Sequence, residues 1–209
     1  MKQNAADDLI RWMLDSLHVN ESVAVPGKEY KWVPKGFYHN PCKWPDLYNF
    51  TSHADQVFIK KLDKMAARLR VDVVYLWIES KTKSLGRYCP LGWKNIKGDV
   101  PLIKLFCFNT RTYAHELAHH INHQIPVYPQ WWPRRWRKKN TILQGSDCEL
   151  IAEFASAVFM CSLYGKDEDI WENSRQYMAH YSEDVDIDIR RLMPRIRKVV
   201  KLGIEALNE

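Results

Sequence analysis

A chain of 209 residues, 46% of them apolar, can bury a substantial core, which argues against wholesale disorder. Its formal charge of +6 favours an anionic partner such as nucleic acid without requiring one. Five cysteines form no C-x-x-C pair, so neither a disulfide framework nor a zinc knuckle is expected. The first residues lack the apolar run of a signal peptide, and the longest apolar stretch is too short to span a bilayer. We therefore expect one cytoplasmic domain over residues 1–209, without a membrane partner.

The first part of the sequence predicts two helices separated by an irregular segment. Residues 7–18 and 53–69 place apolar side chains at helical spacing. Between them, prolines and aromatic residues at 25–49 break the periodicity. We expect irregular structure there, with rings that cover the core or, alternatively, form a recognition loop. Residues 1–50 are accordingly interpreted as an N-terminal segment ahead of a core at 51–165.

Three stretches rich in β-branched or aromatic residues follow, at 71–78, 86–93 and 102–108. This composition favours β-strands. Asn109 and Thr110 are good N-cap residues, so a helix is expected to begin directly after the third strand. The core therefore opens with a helix, a small sheet of three or four strands and a second helix.

Three further helices are predicted in the last third of the chain. Residues 145–163 are strongly apolar, with Gly165 as the expected end, and 167–181 and 186–206 also show helical spacing. The last of these helices carries many basic residues, so 166–209 is interpreted as a basic, helical C-terminal part. Together these elements predict an α+β fold.

The most specific feature is the run His115-Glu116-Leu117-Ala118-His119 in the helix after the third strand. Side chains four positions apart on a helix leave the same face one turn apart, so both imidazoles can bind one cation. Glu116 lies beside them and can take a proton from a water molecule on that cation. This is the H-E-x-x-H pattern of zinc hydrolases. His120 points off this face, and His123 is interpreted as a surface residue.

Two histidines leave a catalytic zinc ion one protein ligand short of the usual three. Glu149 and Glu153 lie one turn apart on an apolar helix, where two buried carboxylates need a cation and its histidines. We assign Glu149 as the ligand and Glu153 as the acceptor of the ring N–H of a zinc-binding histidine. If Glu149 instead forms a capping box with Ser146, then Glu153 or Asp147 is the ligand.

The runs Tyr-Ala-His-Glu-Leu-Ala-His-His and Glu-Leu-Ile-Ala-Glu-Phe-Ala-Ser-Ala resemble compact gluzincin-type metallopeptidase domains. The nearest are the ArdC-like and ImmA/IrrE-like zincins of phages and mobile elements. The resemblance covers about residues 55–163. It implies a zincin-like fold, in which a small sheet packs on the H-E-x-x-H helix and a glutamate-bearing helix supplies the third zinc ligand. It also implies a protein or peptide substrate.

With zinc bound, Glu116 would act as the general base in peptide hydrolysis and return the proton to the leaving amine. The oxyanion would need a further hydrogen-bond donor. Tyr177, His180 and Tyr181, in a downstream helix, are candidates for this catalytic role. The strand at 102–108 or its neighbour could hold an extended peptide by edge pairing.

A basic and aromatic segment connects the two metal-bearing helices. Interleaved rings and cations suit single-stranded nucleic acid, whereas in a structured loop the same rings would fill the core. The residues concerned are Trp131, Trp132, Arg134, Arg135, Trp136, Arg137, Lys138 and Lys139. A second hypothesis is therefore a nucleic-acid-binding anti-restriction or regulatory protein with a structural or vestigial zincin site. Glu116 favours the peptidase, because a structural site has no use for a general base.

Overall fold

The computed structural model describes residues 3–18, 53–75, 85–90, 100–106, 110–126, 143 and 145–208. The elements in these residues are α1 (Gln3–His18), α2 (His53–Arg68), β1 (Asp72–Tyr75), β2 (Gly86–Cys89), β3 (Leu102–Leu105), α3 (Thr110–Gln124), α4 (Gly145–Tyr164), α5 (Glu168–Met178) and α6 (Val185–Asn208). Six helices and a three-stranded mixed sheet make an α+β architecture, as the sequence predicts. The predicted aromatic segment at 25–49, the N-cap residue Asn109 and the basic segment at 131–139 lie outside the described residues.

Local sequence signals account for the ends of the C-terminal helices. Gly165, directly after α4, has a φ of 96°, a left-handed conformation that glycine adopts without strain. Asp167 caps α5, because its carboxylate accepts two backbone N–H groups of the first turn. α5 ends at Met178, so His180 and Tyr181 lie beyond the helix in which they were predicted.

The strands are ordered β1-β3-β2 in the sheet. β1 runs parallel to β3, whereas β2 runs antiparallel to it. Val73 of β1 and Tyr88 of β2 are both aligned with Ile103 of β3. β3 is therefore the central strand of the described sheet, and edge pairing of a peptide with the strand at 102–108 is wrong as a prediction. Its neighbours β1 and β2 are the edge strands in this part of the chain.

α3 packs on one face of the sheet, close to β2. The ring of Tyr88 lies 5.3 Å from the ring of His120, measured between centroids. A Cβ atom added to Gly86 would lie 2.8 Å from Oε1 of Glu116, well inside van der Waals contact. The absence of a side chain at Gly86 therefore lets α3 and Glu116 approach the edge strand.

α4 is the central helix of the core and packs against α1, α3, α5 and α6. All of its residues from 150 to 161 are buried, and Phe159 occupies the space left by Gly203 of α6. Glu153 is only 2% exposed within this apolar helix, so its carboxylate requires polar partners. Although α4 is strongly apolar, the described residues contain no helix with the length and hydropathy needed to cross a membrane.

Candidate metal centre

The two histidines of the H-E-x-x-H motif lie side by side on α3, as the helical spacing predicts. His115 is buried and His119 is half-buried. Their Nε2 atoms are 3.0 Å apart, and the ring centroids are 4.7 Å apart. Both imidazoles therefore direct Nε2 to a common point.

Glu149 of α4 reaches the same point from the opposite side. Its Oε2 lies 3.2 Å from Nε2 of His115, and its Oε1 lies 3.4 Å from Nε2 of His119. Asp147, one of the alternative ligands, is bonded to Arg191 at 2.6 Å instead. His115, His119 and Glu149 form the one group of three potential ligands found among the described residues.

The spacing of these donor atoms fits a metal ion. In a tetrahedral site with bonds of about 2.0–2.1 Å, neighbouring ligand atoms lie about 3.3 Å apart. The two Nε2 atoms lie 3.0 Å apart, and those of His115 and His119 lie 3.2 and 3.4 Å from different oxygens of Glu149, Oε2 and Oε1. These separations are close to that value, and the three side chains could hold a metal ion.

Glu153 occupies the position predicted for an orienting residue. Its Oε2 lies 2.8 Å from Nδ1 of His115, on the far side of the ring from the common point. With the proton on Nδ1 donated to Glu153, the Nε2 lone pair of His115 is directed to the centre. The alternative in which Glu153 is itself the third ligand is disfavoured, since its carboxylate faces the wrong nitrogen.

Arg111 completes this arrangement and was missed by the sequence reasoning. Its NH2 group donates to Oε1 of Glu153 at 2.6 Å and to the backbone oxygen of Asn173 at 3.1 Å. Arg111 precedes His115 by one turn of α3, so a search for cations on the metal-binding face of that helix would have found it.

The charges at the centre are strongly coupled. Burial alone would lower the pKa of His115, but hydrogen bonds to Glu149 and Glu153 outweigh it and raise this pKa to about 10. Burial opposes ionisation of both carboxylates, yet His115 and, for Glu153, the Arg111 charge lower their pKa values. A proton on His115 and a divalent cation therefore compete for the same place between the carboxylates.

Glu116 lies next to this group and against the edge strand. Burial raises its pKa above that of an ordinary glutamate, although His115 and His119 oppose the shift. Its carboxylate also accepts the backbone N–H of Tyr88 in β2. A buried carboxylate with a raised pKa, beside a group that could hold a cation, could accept a proton as a general base does.

The three predicted oxyanion donors differ in position. The hydroxyl of Tyr177 donates to Oε2 of Glu149 at 3.2 Å and lies 3.2 Å from the hydroxyl of Tyr181. Burial and the charge of Glu149 raise the pKa of Tyr177, so this hydroxyl stays protonated and remains a donor. Tyr181 is 38% exposed, and His180 is exposed. Tyr177 therefore contacts the ligand Glu149 directly, and Tyr181 contacts Tyr177.

The remaining histidines of α3 lie away from the centre. Nε2 of the buried His120 is 3.0 Å from the backbone oxygen of Leu69, and His123 is exposed. Both positions agree with the sequence interpretation. Part of the positive charge of α6 is also used internally, because Arg195 binds the backbone oxygens of Asn122 and Ile125 at the end of α3.

No protein-family model matches the chain, and neither a curated protein nor a solved structure matches it. Its function must therefore be inferred from the chemistry of the centre.

Proposed function

We propose that the protein is a zinc-dependent metallopeptidase of the gluzincin type, with His115, His119 and Glu149 as zinc ligands and Glu116 as general base. One observation carries the proposal. Two imidazole nitrogens and a carboxylate from separate helices converge at 3.0–3.4 Å, with Glu116 next in sequence to one of them. A fold-stabilising ion pair would need the histidines and Glu149, but it would not need Glu116.

The donor set favours zinc among the common divalent ions. Calcium and magnesium prefer ligand sets made of oxygen atoms, whereas two imidazoles and one carboxylate form a known catalytic zinc set. The carboxylate of Glu153 on Nδ1 of His115 supplies the outer hydrogen bond that zinc histidines almost always make. Three protein ligands leave a fourth position for water or substrate.

The residues around the ion divide the chemistry of hydrolysis between them. A bound zinc ion would polarise the scissile carbonyl and lower the pKa of a water molecule. Glu116 takes a proton from the attacking water and delivers it to the leaving amine, which its raised pKa favours. The hydroxyl of Tyr177 is held by Glu149, and the hydroxyl of Tyr181 contacts that of Tyr177, so we assign oxyanion stabilisation to Tyr181.

The edge of β2 favours an extended peptide as substrate. The N–H of Phe106 donates to the oxygen of Leu85, so alternate residues of β2 direct their backbone groups away from β3. Gly86 and Tyr88 are these alternate residues, and the N–H of Tyr88 already binds Glu116. A peptide paired with this edge would therefore lie beside the general base.

The decisive experiment compares zinc-loaded wild type with Glu116→Gln in cleavage of an unfolded, fluorescently labelled polypeptide. We expect Glu116→Gln to retain zinc and to lose about 10²–10⁴-fold in rate, the usual contribution of a general base. His123→Gln, which changes an exposed histidine of the same helix, is the matched control and should cleave normally. Equal rates for wild type and Glu116→Gln, or no cleavage by zinc-loaded wild type, would refute the proposal.

The alternative, a nucleic-acid-binding protein with a structural or vestigial site, depends mainly on residues 131–139, which lie outside the described residues. The same assay with and without single-stranded DNA tests it. Binding of DNA by a wild-type protein that contains zinc but cleaves no polypeptide would favour this alternative. The raised pKa of Glu116 beside the ligands favours the peptidase.

A further inference from the structure

The carboxylate of Glu153 has a different partner on each oxygen. Oε2 faces Nδ1 of His115 at 2.8 Å, and Oε1 accepts from Arg111 at 2.6 Å. The side chain of Glu153 is 3% exposed, so water has little access to replace either partner. The orientation of this carboxylate therefore depends on Arg111 as well as on His115.

Arg111 is itself held in place by a second contact. The same NH2 group donates to the backbone oxygen of Asn173 in α5 at 3.1 Å. Arg111 belongs to α3 and Glu153 to α4, so one guanidinium joins three helices around the centre. A planar, rigid group of this kind fixes the direction of a carboxylate better than a flexible ammonium does.

We propose that Arg111 is a positioning residue of the metal centre, which orients His115 for metal binding by fixing the carboxylate of Glu153. This inference rests on the metal site of the proposed function and not on peptide hydrolysis. Without Arg111, Glu153 can rotate about its side-chain bonds, and the ring of His115 loses the fixed acceptor that directs Nε2 to the centre.

In contrast to its orienting effect, the positive charge of Arg111 lowers the affinity of the site for a metal ion. A guanidinium near the site repels a divalent cation, so its removal would strengthen metal binding if charge were its main effect. The side chain is 34% exposed, and solvent weakens this repulsion. The hydrogen bond to the buried carboxylate is screened much less, and we expect orientation to dominate.

An arginine of α6 that is paired with a carboxylate of α4 provides a control. NH2 of Arg191 donates to Asp147 of α4 at 2.6 Å, the same distance as between Arg111 and Glu153. Asp147 is outside the group of three ligands found among the described residues. Arg191→Gln therefore removes an arginine–carboxylate pair of α4, together with the contacts of Arg191 to Asp188, without touching the orientation of His115.

The experiment measures zinc affinity by chelator competition, and the visible spectrum of the cobalt-substituted protein, for wild type and variants. We expect Arg111→Gln to lower zinc affinity about tenfold, at the low end of the range for outer hydrogen-bond partners. Arg111→Lys keeps the charge and should recover part of this loss. Arg191→Gln should match wild type in affinity and spectrum. In a Glu153→Gln background, Arg111→Gln should have no further effect, whereas a merely structural role would destabilise both backgrounds alike.

Two results would overturn this inference alone. One is an Arg111→Gln protein with the zinc affinity and cobalt spectrum of wild type. The other is tighter zinc binding by Arg111→Gln, which would show that charge repulsion dominates. Wild type that binds no zinc would overturn the metal site and both proposals. Wild type that binds zinc but cleaves no polypeptide would refute only the peptidase, because the Arg111 comparison does not use activity.

Discussion

Two buried histidines of α3, His115 and His120, have opposite surroundings. The ring nitrogens of His115 face carboxylates, Glu153 at 2.8 Å and Glu149 at 3.2 Å. Nε2 of His120 faces the backbone oxygen of Leu69 at 3.0 Å, and its Nδ1 has no hydrogen-bond partner among the described residues. Accordingly, the pKa of His115 is raised to about 10, whereas burial lowers the pKa of His120.

The difference between the two histidines comes from another helix. Both belong to α3, but α4 packs along one side of α3 and brings Glu149 and Glu153 to His115 and not to His120. Burial with a neutral acceptor keeps a histidine neutral and structural, whereas burial between two carboxylates requires a positive charge. A proton or a metal ion supplies that charge at His115. The carboxylates of α4 thus determine which histidine can bind a metal.

The strongest test of the difference between His115 and His120 is to replace each of them in turn. His115→Ala should lower zinc affinity by more than about 100-fold, beyond the range for losing an outer partner, because it removes a ligand. His120→Ala should leave zinc affinity unchanged. Chelator competition measures both affinities, and circular dichroism establishes that each variant folds. Equal losses in the two variants would show that α3 responds to general disruption and that His115 has no special role.

A second test uses the pH dependence of zinc binding. Zinc binds neutral imidazole, and the pKa of His115 without zinc is about 10, so zinc must displace its proton at any lower pH. Affinity should therefore rise with pH by about tenfold per unit for this proton, and continue to rise above about pH 8, where an ordinary histidine has already lost its proton. Calorimetry in buffers of different ionisation enthalpy counts the released protons. If zinc binding above about pH 8 released no proton, the assigned surroundings of His115 would be contradicted.

The free energy of unfolding provides a third test of the difference between His115 and His120. His120→Ala leaves a cavity and removes one of the two side-chain contacts of the Leu69 backbone oxygen, to which Gln124 still donates, so we expect it to lower the free energy of unfolding by about 2–3 kcal/mol. Zinc at about 100 times its Kd should still stabilise this variant by about 2.7 kcal/mol, as it stabilises wild type. Urea titrations with and without zinc measure both quantities. The zinc increment should vanish in His115→Ala, and its loss in His120→Ala would mean that the two histidines are coupled.

The sequence predicted the features of the centre that depend on one helix or on a short local signal. The spacing of His115 and His119, and the order of helices and strands, are of this kind. The order of strands in the sheet depends on long-range pairing, so the central position of β3 was not predictable. The contact between Arg111 and Glu153 depends on the packing of α3 against α4 and was missed for the same reason.

The contacts of Glu149 and Glu153 in α4, and the end of α5, also could not be predicted from local sequence signals. Glu149 and Glu153 were recognised as a pair from their spacing, but which oxygen faces which nitrogen required the positions of both helices. The predicted helix at 167–181 ends at Met178, because the backbone N–H groups of His180 and Tyr181 bond three residues back in tight turns. Apolar periodicity does not report that change of hydrogen bonding.

The smallest predicted effect concerns Tyr177, which donates a hydrogen bond to the Glu149 carboxylate that faces Nε2 of His115. The hydroxyl of Tyr177 donates to Glu149 at 3.2 Å, whereas the backbone oxygen of Leu69 that faces His120 accepts from the side-chain amide of Gln124 at 3.3 Å. Tyr177→Phe removes the hydrogen bond to Glu149, worth about 0.5–1.5 kcal/mol, so zinc affinity should fall by about 2–10-fold. The hydroxyl of Tyr181 contacts that of Tyr177. Tyr181→Phe is therefore the control and should keep the zinc affinity of wild type.

The rate of cleavage separates the two roles open to Tyr177. If its hydroxyl serves mainly to hold Glu149, Tyr177→Phe lowers kcat in proportion to zinc occupancy, and saturating zinc restores it. An oxyanion donor, in contrast, contributes about 10²–10³-fold to kcat, and added zinc does not restore that loss. Because the hydroxyl is already bonded to Glu149, we expect Tyr177→Phe to be rescued by zinc and Tyr181→Phe to show the larger, zinc-independent loss. The reverse pattern would assign the oxyanion to Tyr177 and leave Glu149 held by the histidines alone.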